Sequence, residues 1–248
     1  MFLATYPKDG GFWDWVFYLT EEYWGVFLKG AFWTLAIAVV GTIIGCIIGF
    51  IVGIIQTIEL EAHCNYAKRG IVNFIKGFTK IYVEIFRGTP MIVQAMVVYY
   101  GLSYLGLQLD ALLCGFLVVS INTGAYMAES VRGGINSVAV GQFEAGKVIG
   151  LSHFQTMRFV VLPQAFKNIM PQIGNQLVTN LKDTSVLNVI SVNELFFSGK
   201  TAASVYYKYF EVFIIVAAIY FVLNLVVTFI LRRIEKRLDG KQDYDLAE

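Results

Sequence analysis

Charge leaves this chain in long blocks, and the blocks set the elements. No charged residue occurs in residues 30–58, in 88–109 or in 111–128, and each block is long enough to cross a bilayer core as helix, which takes about 20 apolar residues. Residues 71–86 are mixed and read together with 88–109 as one long helix entering from an interfacial stretch, disturbed at Arg87-Gly88-Thr89-Pro90 because proline ends or kinks a helix. Residues 159–181, much more polar, and 212–231 complete five predicted spans. Trp13, Trp15, Tyr18, Tyr23 and Trp24 read as an interfacial aromatic belt ahead of the first span, and the acidic, aromatic N-terminus lacks the basic start of a cleaved signal peptide. Composition agrees: 57% of the 248 residues are hydrophobic and 15% are charged, against about 25% in soluble domains. That excludes disorder and a single-core soluble enzyme and predicts an all-α polytopic membrane protein.

The basic residues give the sidedness. With five spans, thirteen of the 19 Lys and Arg fall on one side, including Lys68, Arg69, Arg132, Arg232 and Lys241. Lys8, Lys29, Lys182, Lys200 and Lys208 fall on the other, and Lys167 lies within a span. The positive-inside rule then places the C-terminus in the cytoplasm and the N-terminus outside. A net charge of +1 offers no field for nucleic acid. Three cysteines (Cys46, Cys64, Cys114) and two histidines (His63, His153) form no metal-ligand spacing; the adjacent His63-Cys64 is a weak hint, and no metal is expected.

Three intramembrane patterns stand out. Gly41, Gly45, Gly49 and Gly53 recur every fourth residue, a smooth stripe for close helix approach, either inside the subunit or between subunits. Gln164, Asn168, Gln172, Asn175, Thr179 and Asp183 share one helix face, which must look into protein or water, as a hydrophilic pathway or as interhelical glue. Pro163 and Pro171 in the same helix should introduce bends. Two Glu-x-x-Arg-Gly units, Glu84–Gly88 with Arg87 and Glu129–Gly133 with Arg132, allow helix-end ion pairs three residues apart, or a gate or an inter-subunit salt bridge.

Residues 132–157 form a polar loop containing a short amphipathic helix. Val140, Phe143, Val148, Leu151 and Phe154 recur at near-helical intervals while Glu144 and Lys147 face away, and Gly150 ends the helix. Such an element suits docking into a partner's groove, with a helix that merely lies at the membrane interface as the alternative. Its residues resemble the EAA loop of bacterial ATP-binding-cassette importers: Glu144, Ala145, Gly150, Leu162 and Pro163 fit, with Gly146 in place of a second alanine and Val160 in place of isoleucine. Further segments resemble the polar amino acid permease branch, among them Tyr82-Val83-Glu84-Ile85-Phe86-Arg87-Gly88-Thr89-Pro90, Asn122-Thr123-Gly124-Ala125-Tyr126 and Leu181-Lys182-Asp183-Thr184-Ser185.

The resemblance implies a type I importer fold: a permease domain over residues 25–235 with a short cytoplasmic coupling helix, an external segment over 1–24 and a cytoplasmic tail over 236–248. It implies coupling through Gln142, Phe143, Glu144, Ala145, Gly146 and Gly150. The partners implied are a cytoplasmic ATPase dimer holding ATP and magnesium, a second permease subunit, identical or not, and an external solute-binding protein, all at the bacterial cell membrane. A substrate path is expected along Gln172, Asn175, Thr179 and Asp183, with Asn122 and Tyr126 added by analogy with midplane sites. Ser198-Gly199-Lys200-Thr201 looks like the end of a phosphate-binding loop, but Glu194 stands where that motif needs glycine, so ATP hydrolysis is expected in a partner chain. The function implied is translocation of a polar amino acid; another small solute, a passive channel and an intramembrane enzyme are the alternatives. A channel leaves the docking loop unexplained, and an enzyme would want paired acids or a metal at membrane depth.

Overall fold

The computed structural model describes residue 7 and residues 9–58 and 65–238. His63 and Cys64, with Lys8 and Lys241, lie outside the described residues. Every regular element among the described residues is helical. The first apolar block is the later part of α1, Phe12–Thr57, a helix of 46 residues that also takes in the aromatic segment before it. At 1.5 Å per residue it runs roughly 69 Å, about twice the hydrocarbon thickness.

The second block is not one long helix. It is α2 (Tyr66–Gly88) and α3 (Met91–Tyr104), bent by 112° across Thr89 and Pro90. Pro90 has no N–H to donate, and Thr89 before it is extended (φ −122°, ψ 146°), as the proline ring demands. The chain then enters α4, Ala111–Asn136, where one carboxylate oxygen of Asp110 accepts from the amides of Leu112 (2.9 Å) and Leu113 (3.4 Å). The loop helix is α5, Val140–Val148. A short α6, His153–Thr156, passes through a π turn, Met157–Val161, into α7, Leu162–Asp183. Pro171 sits inside α7 without ending it. A 3-10 turn, Thr184–Ile190, then α8, Leu195–Tyr206, and α9, Tyr209–Leu238, complete the order.

Among the described residues α1, α4 and α9 are long and apolar enough to cross a membrane, and the bent pair α2–α3 makes a fourth candidate if counted as one span. The expected span at 159–181 corresponds to α7, whose polar face keeps it from meeting that standard by composition.

The chain divides into two compact units. One comprises Met1–Gly41, Pro90–Val119 and Val178–Val227; the other comprises Thr42–Thr89, Ser120–Leu177 and Thr228–Glu248. In the first, Trp15, Leu19 and Phe27 bury against Leu195, Ala203 and Val212, and a second cluster gathers Ile37, Val118, Leu187 and Ile190. In the second, Met127, Val131 and Ile135 bury against Met157, Val161 and Ile169.

The glycine stripe is used within this second unit at three of its four positions. A Cβ on Gly45, Gly49 or Gly53 would lie 2.5, 2.4 or 2.7 Å from Thr123, Met127 or Val131 on α4, with α4 backbone atoms close behind. The two backbones meet as directly as side chains allow, the packing device of membranes, where apolar lipid supplies no drive for helix association. Gly49→Leu should therefore force α1 and α4 apart and destabilise by about 1–3 kcal/mol. Gly77→Leu on α2, with open space around it, should not. Thermal unfolding of the two purified variants distinguishes them.

Candidate functional site

The loop helix is held from inside and bare outside. Gly146 is buried, and a Cβ there would come within 2.6 Å of the Thr156 side chain, so glycine replaces alanine for want of room between α5 and α6. Gly150 has φ +79°, the left-handed conformation that glycine alone adopts without strain. Leu151 N–H donates to the Gly146 carbonyl (3.0 Å) and Gly150 N–H to that of Lys147 (3.1 Å), closing a Schellman motif. Ser152 then restarts the chain as α6 with a capping box to Gln155.

The predicted apolar face is only partly buried. Phe143 and Leu151 are half-buried, but Val140 (70%), Val148 (85%) and Phe154 (71%) are exposed, as is Ile149. The chain reverses at Gly150, so these residues do not extend one helical face; they form an outward apolar surface beside exposed Gln142, Glu144, Ala145 and Lys147.

All six polar residues of the α7 row, Gln164 through Asp183, are exposed, whereas Ile169 and Leu181 are fully buried. At its start the row meets the loop helix: Gln164 Nε2 lies 3.3 Å from Gln142 Oε1 and also donates to the Val160 carbonyl (2.8 Å). Further on, Asn168 donates to Ser137 Oγ, in the turn just past the end of α4 (2.9 Å). Between these helices, within the second unit, lies an open cavity of about 630 Å³ lined by Glu129, Ser130, Gly133, Gly134, Ser137, Asn168 and Gln172. It brings Glu129 and Gln172 to one place. Asn175, Thr179 and Asp183 continue the exposed face beyond it. Ser130 and Ser137 were not singled out in the sequence; their spacing of three and four about Gly133, a small and polar strip along the end of α4 and into the turn after it, is the signal that marks them.

The ion pairs differ from the i,i+3 expectation. Glu129 does pair with Arg132, but it also takes Arg87 at 3.7 Å, and Glu84 pairs with Lys80 at 3.8 Å instead of with Arg87. Arg87 also lies 5.7 Å from the ring centre of exposed Tyr126. The two Glu-x-x-Arg units are thus joined through Arg87 and Glu129, from different helices. These side chains are a third or more exposed, so each pair contributes at most about 1 kcal/mol. Asn122 is buried and donates to the Phe86 carbonyl (3.2 Å), next to Tyr82, which donates to that of Ile121 (2.6 Å); both tie α2 to α4.

In the first unit the sequence reading misses a buried carboxylate. Glu194 is fully buried and caps α8, accepting from Phe196 N–H (2.9 Å), Phe197 N–H (2.7 Å), Tyr220 O–H (2.9 Å) and, more distantly, Thr34 O–H (3.5 Å). Thr34 Oγ1 in turn accepts from Leu195 N–H (3.1 Å). Burial pushes the carboxyl above the usual range, against the four hydrogen bonds that pull it down. Ser198-Gly199-Lys200-Thr201 lies inside α8 with Ser198 and Gly199 buried, a helix and not a phosphate-wrapping loop. Cys114 is buried and Cys46 half-buried. No group of three metal-ligating side chains occurs among the described residues.

Residues 65–240 match the family of binding-protein-dependent transport system inner membrane components, about seven-tenths of the chain. The chain belongs to this family. The relatives of this permease include the glutamine transport system permease protein GlnP of Escherichia coli (strain K12), 39% identical over 160 residues, which are 64% of this chain and 73% of that protein. The arginine transport system permease protein ArtQ of Bacillus subtilis is 40% identical over 63% of this chain and 72% of its own. Among solved structures, an amino acid ABC transporter crystallised with histidines matches 92% of the permease and 99% of that chain, with a TM-score of 0.79 at 34% identity. An inward-facing MetNI methionine ABC transporter shares the fold, with a TM-score of 0.73 at 20% identity over 88% of the permease and 98% of that chain. The permease is thus an all-α membrane subunit with the type I importer fold.

Proposed function

We propose that this permease translocates a polar amino acid across the cell membrane, driven by ATP hydrolysed in a separate subunit. The observation that carries the reading is the loop helix: an apolar surface of Val140, Val148, Ile149 and Phe154 left bare on an element locked internally by Gly146 and Gly150. Leaving large side chains exposed on so short a helix is costly unless a partner covers them. A cytoplasmic ATPase, binding ATP and magnesium, is that partner. Rigid motion of α5 then reaches α7 through the Gln142–Gln164 contact and the continuous turn at Met157–Val161, since packed helices move as bodies and do not deform smoothly.

A second permease subunit completes the path. The α7 row and the cavity beside Glu129 and Gln172 form one wall of it, and Arg87, Glu129 and Arg132 supply charges that re-pair as the path opens. Solute arrives from an external binding protein or domain. The basic residues favour an external N-terminus and a cytoplasmic C-terminus. The amino acid class is supported by the relatives, which serve glutamine and arginine systems.

The test places single cysteines at Gln172, Asn175 and Thr179, with Ile173 and Leu177 as controls, in the complex with its ATPase. The first three should react with small water-soluble thiol reagents in a nucleotide-dependent manner and the controls at least several-fold more slowly. Equal protection at all five positions would make the α7 row interhelical glue.

A further inference from the structure

We infer that the C-terminal end of α9 is a binding site for the headgroup phosphate of an anionic phospholipid. The inference rests on α9 lying in a membrane, not on transport or on which side the helix ends. Phe221, Val222, Leu225, Val226, Phe229 and Ile230 are all exposed, and their pairwise recurrence every four residues puts them on one face. On a membrane helix such a face meets acyl chains. One turn further along the same face the side chains become Arg233 and Arg237, four residues apart. Phe229, Ile230, Arg233, Ile234 and Arg237 enclose a notch of about 310 Å³.

The arginines are placed and available. The Arg233 guanidinium sits 4.6 Å from the ring centre of Phe229, so it lies back over the apolar face. Neither arginine has a carboxylate within ion-pair distance among the described residues. Glu235, the acid on the same turn, is directed elsewhere, its carboxylate 3.1 Å from where a Cβ on Gly174 of α7 would stand.

Two arginines lining a notch at the end of an apolar face match one ligand chemistry: a phosphodiester whose tails lie along that face. Arginine holds phosphate oxygens in a planar fork, and basic side chains at a membrane surface attract anionic lipid. A zwitterionic headgroup would bring its own cation against two fixed cations, so selection favours phosphatidylglycerol-like over phosphatidylcholine-like lipids. Continuity with the lipid-facing surface commits the site to an occupant from the bilayer and not to a soluble phosphate.

The full chain in nanodiscs containing equal phosphatidylglycerol and phosphatidylcholine would be examined by native mass spectrometry for lipid retained on release. Wild type should retain phosphatidylglycerol preferentially, and Arg233→Gln/Arg237→Gln should retain about tenfold less. Arg232→Gln/Lys236→Gln removes the same charge from another face of the helix and should retain as much as wild type. Equal loss in both variants would reduce the effect to diffuse attraction and overturn the site, as would equal retention of the two lipids by wild type. Retention that emerges only after residues 239–248 are removed would assign the two arginines to the acidic tail instead.

Discussion

Gly150→Leu is expected to uncouple the permease, lowering solute-stimulated ATP hydrolysis and uptake in reconstituted vesicles about tenfold or more. At φ +79° a side chain costs about 1–2 kcal/mol of backbone strain, the size of free-energy change that corresponds to roughly a tenfold shift in an equilibrium. The open space around Gly150 means the strain is not compounded by a clash inside the subunit. The chain should still insert and fold, while α5 loses the closure that fixes its exit and its bare apolar surface. Glu144→Lys, at an exposed position on the same helix, should weaken stimulation most at low salt, where charges are least screened. Capture of solute by the binding protein should be unchanged in both. Full stimulated hydrolysis and uptake by well-inserted Gly150→Leu and Glu144→Lys proteins would remove α5 from the coupling route.

The largest stability effect is expected at Glu194. Glu194→Ala deletes the cap of α8 and strands the amides of Phe196 and Phe197 and the hydroxyl of Tyr220 in a buried site. An unsatisfied buried donor costs about 1–3 kcal/mol, so a loss of roughly 3 kcal/mol or more is expected, read as a fall in thermal midpoint of the detergent-purified protein. The pH dependence has a definite sign. Burial raises the carboxyl's affinity for a proton in the folded protein, so the folded state binds the proton more tightly than the unfolded chain. The contribution of Glu194 is therefore fully present below the ordinary glutamate value and is lost as pH rises through the raised value. Above it the wild type should lose stability relative to Glu194→Gln, which cannot ionise. A wild type whose stability difference from Glu194→Gln does not change with pH would mean that this carboxyl is not shifted.

The contrast between Gly150 and Glu194 shows what a sequence can carry. The exit at Gly150, the positions of α1, α4 and α9, and the exposed polar row of α7 are local properties: glycine alone tolerates a left-handed turn, and a bilayer demands long apolar helices. They are legible one window at a time. The pairing of Arg87 with Glu129 across two helices, the burial of Glu194 under Thr34 and Tyr220, and the cavity beside Ser137 depend on which helices meet and in what register. No periodicity within a single segment encodes that. The proline at position 90 announces a break, yet the 112° between α2 and α3 comes from the whole dipeptide conformation at Thr89 and Pro90. Amphipathic periodicity also misleads at α5, because the helix closes at Gly150, leaving Leu151 in the connection and Phe154 on α6.

The turn at Met157–Val161 has a geometric consequence for α7. A π turn holds more residues than the 3.6 of the α-helix on either side, and each residue of an α-helix advances the azimuth by about 100°. The polar row that begins at Gln164 is therefore out of phase with the helical sequence upstream of Met157. Rewinding these residues at α pitch without shortening the chain would swing the row by up to about 100° relative to α6, turning Asn168 and Gln172 away from the cavity while leaving every α-helical hydrogen bond of α7 intact. The azimuth of the polar wall is thus set by one surplus residue in the turn, independently of the side chains that make the wall polar.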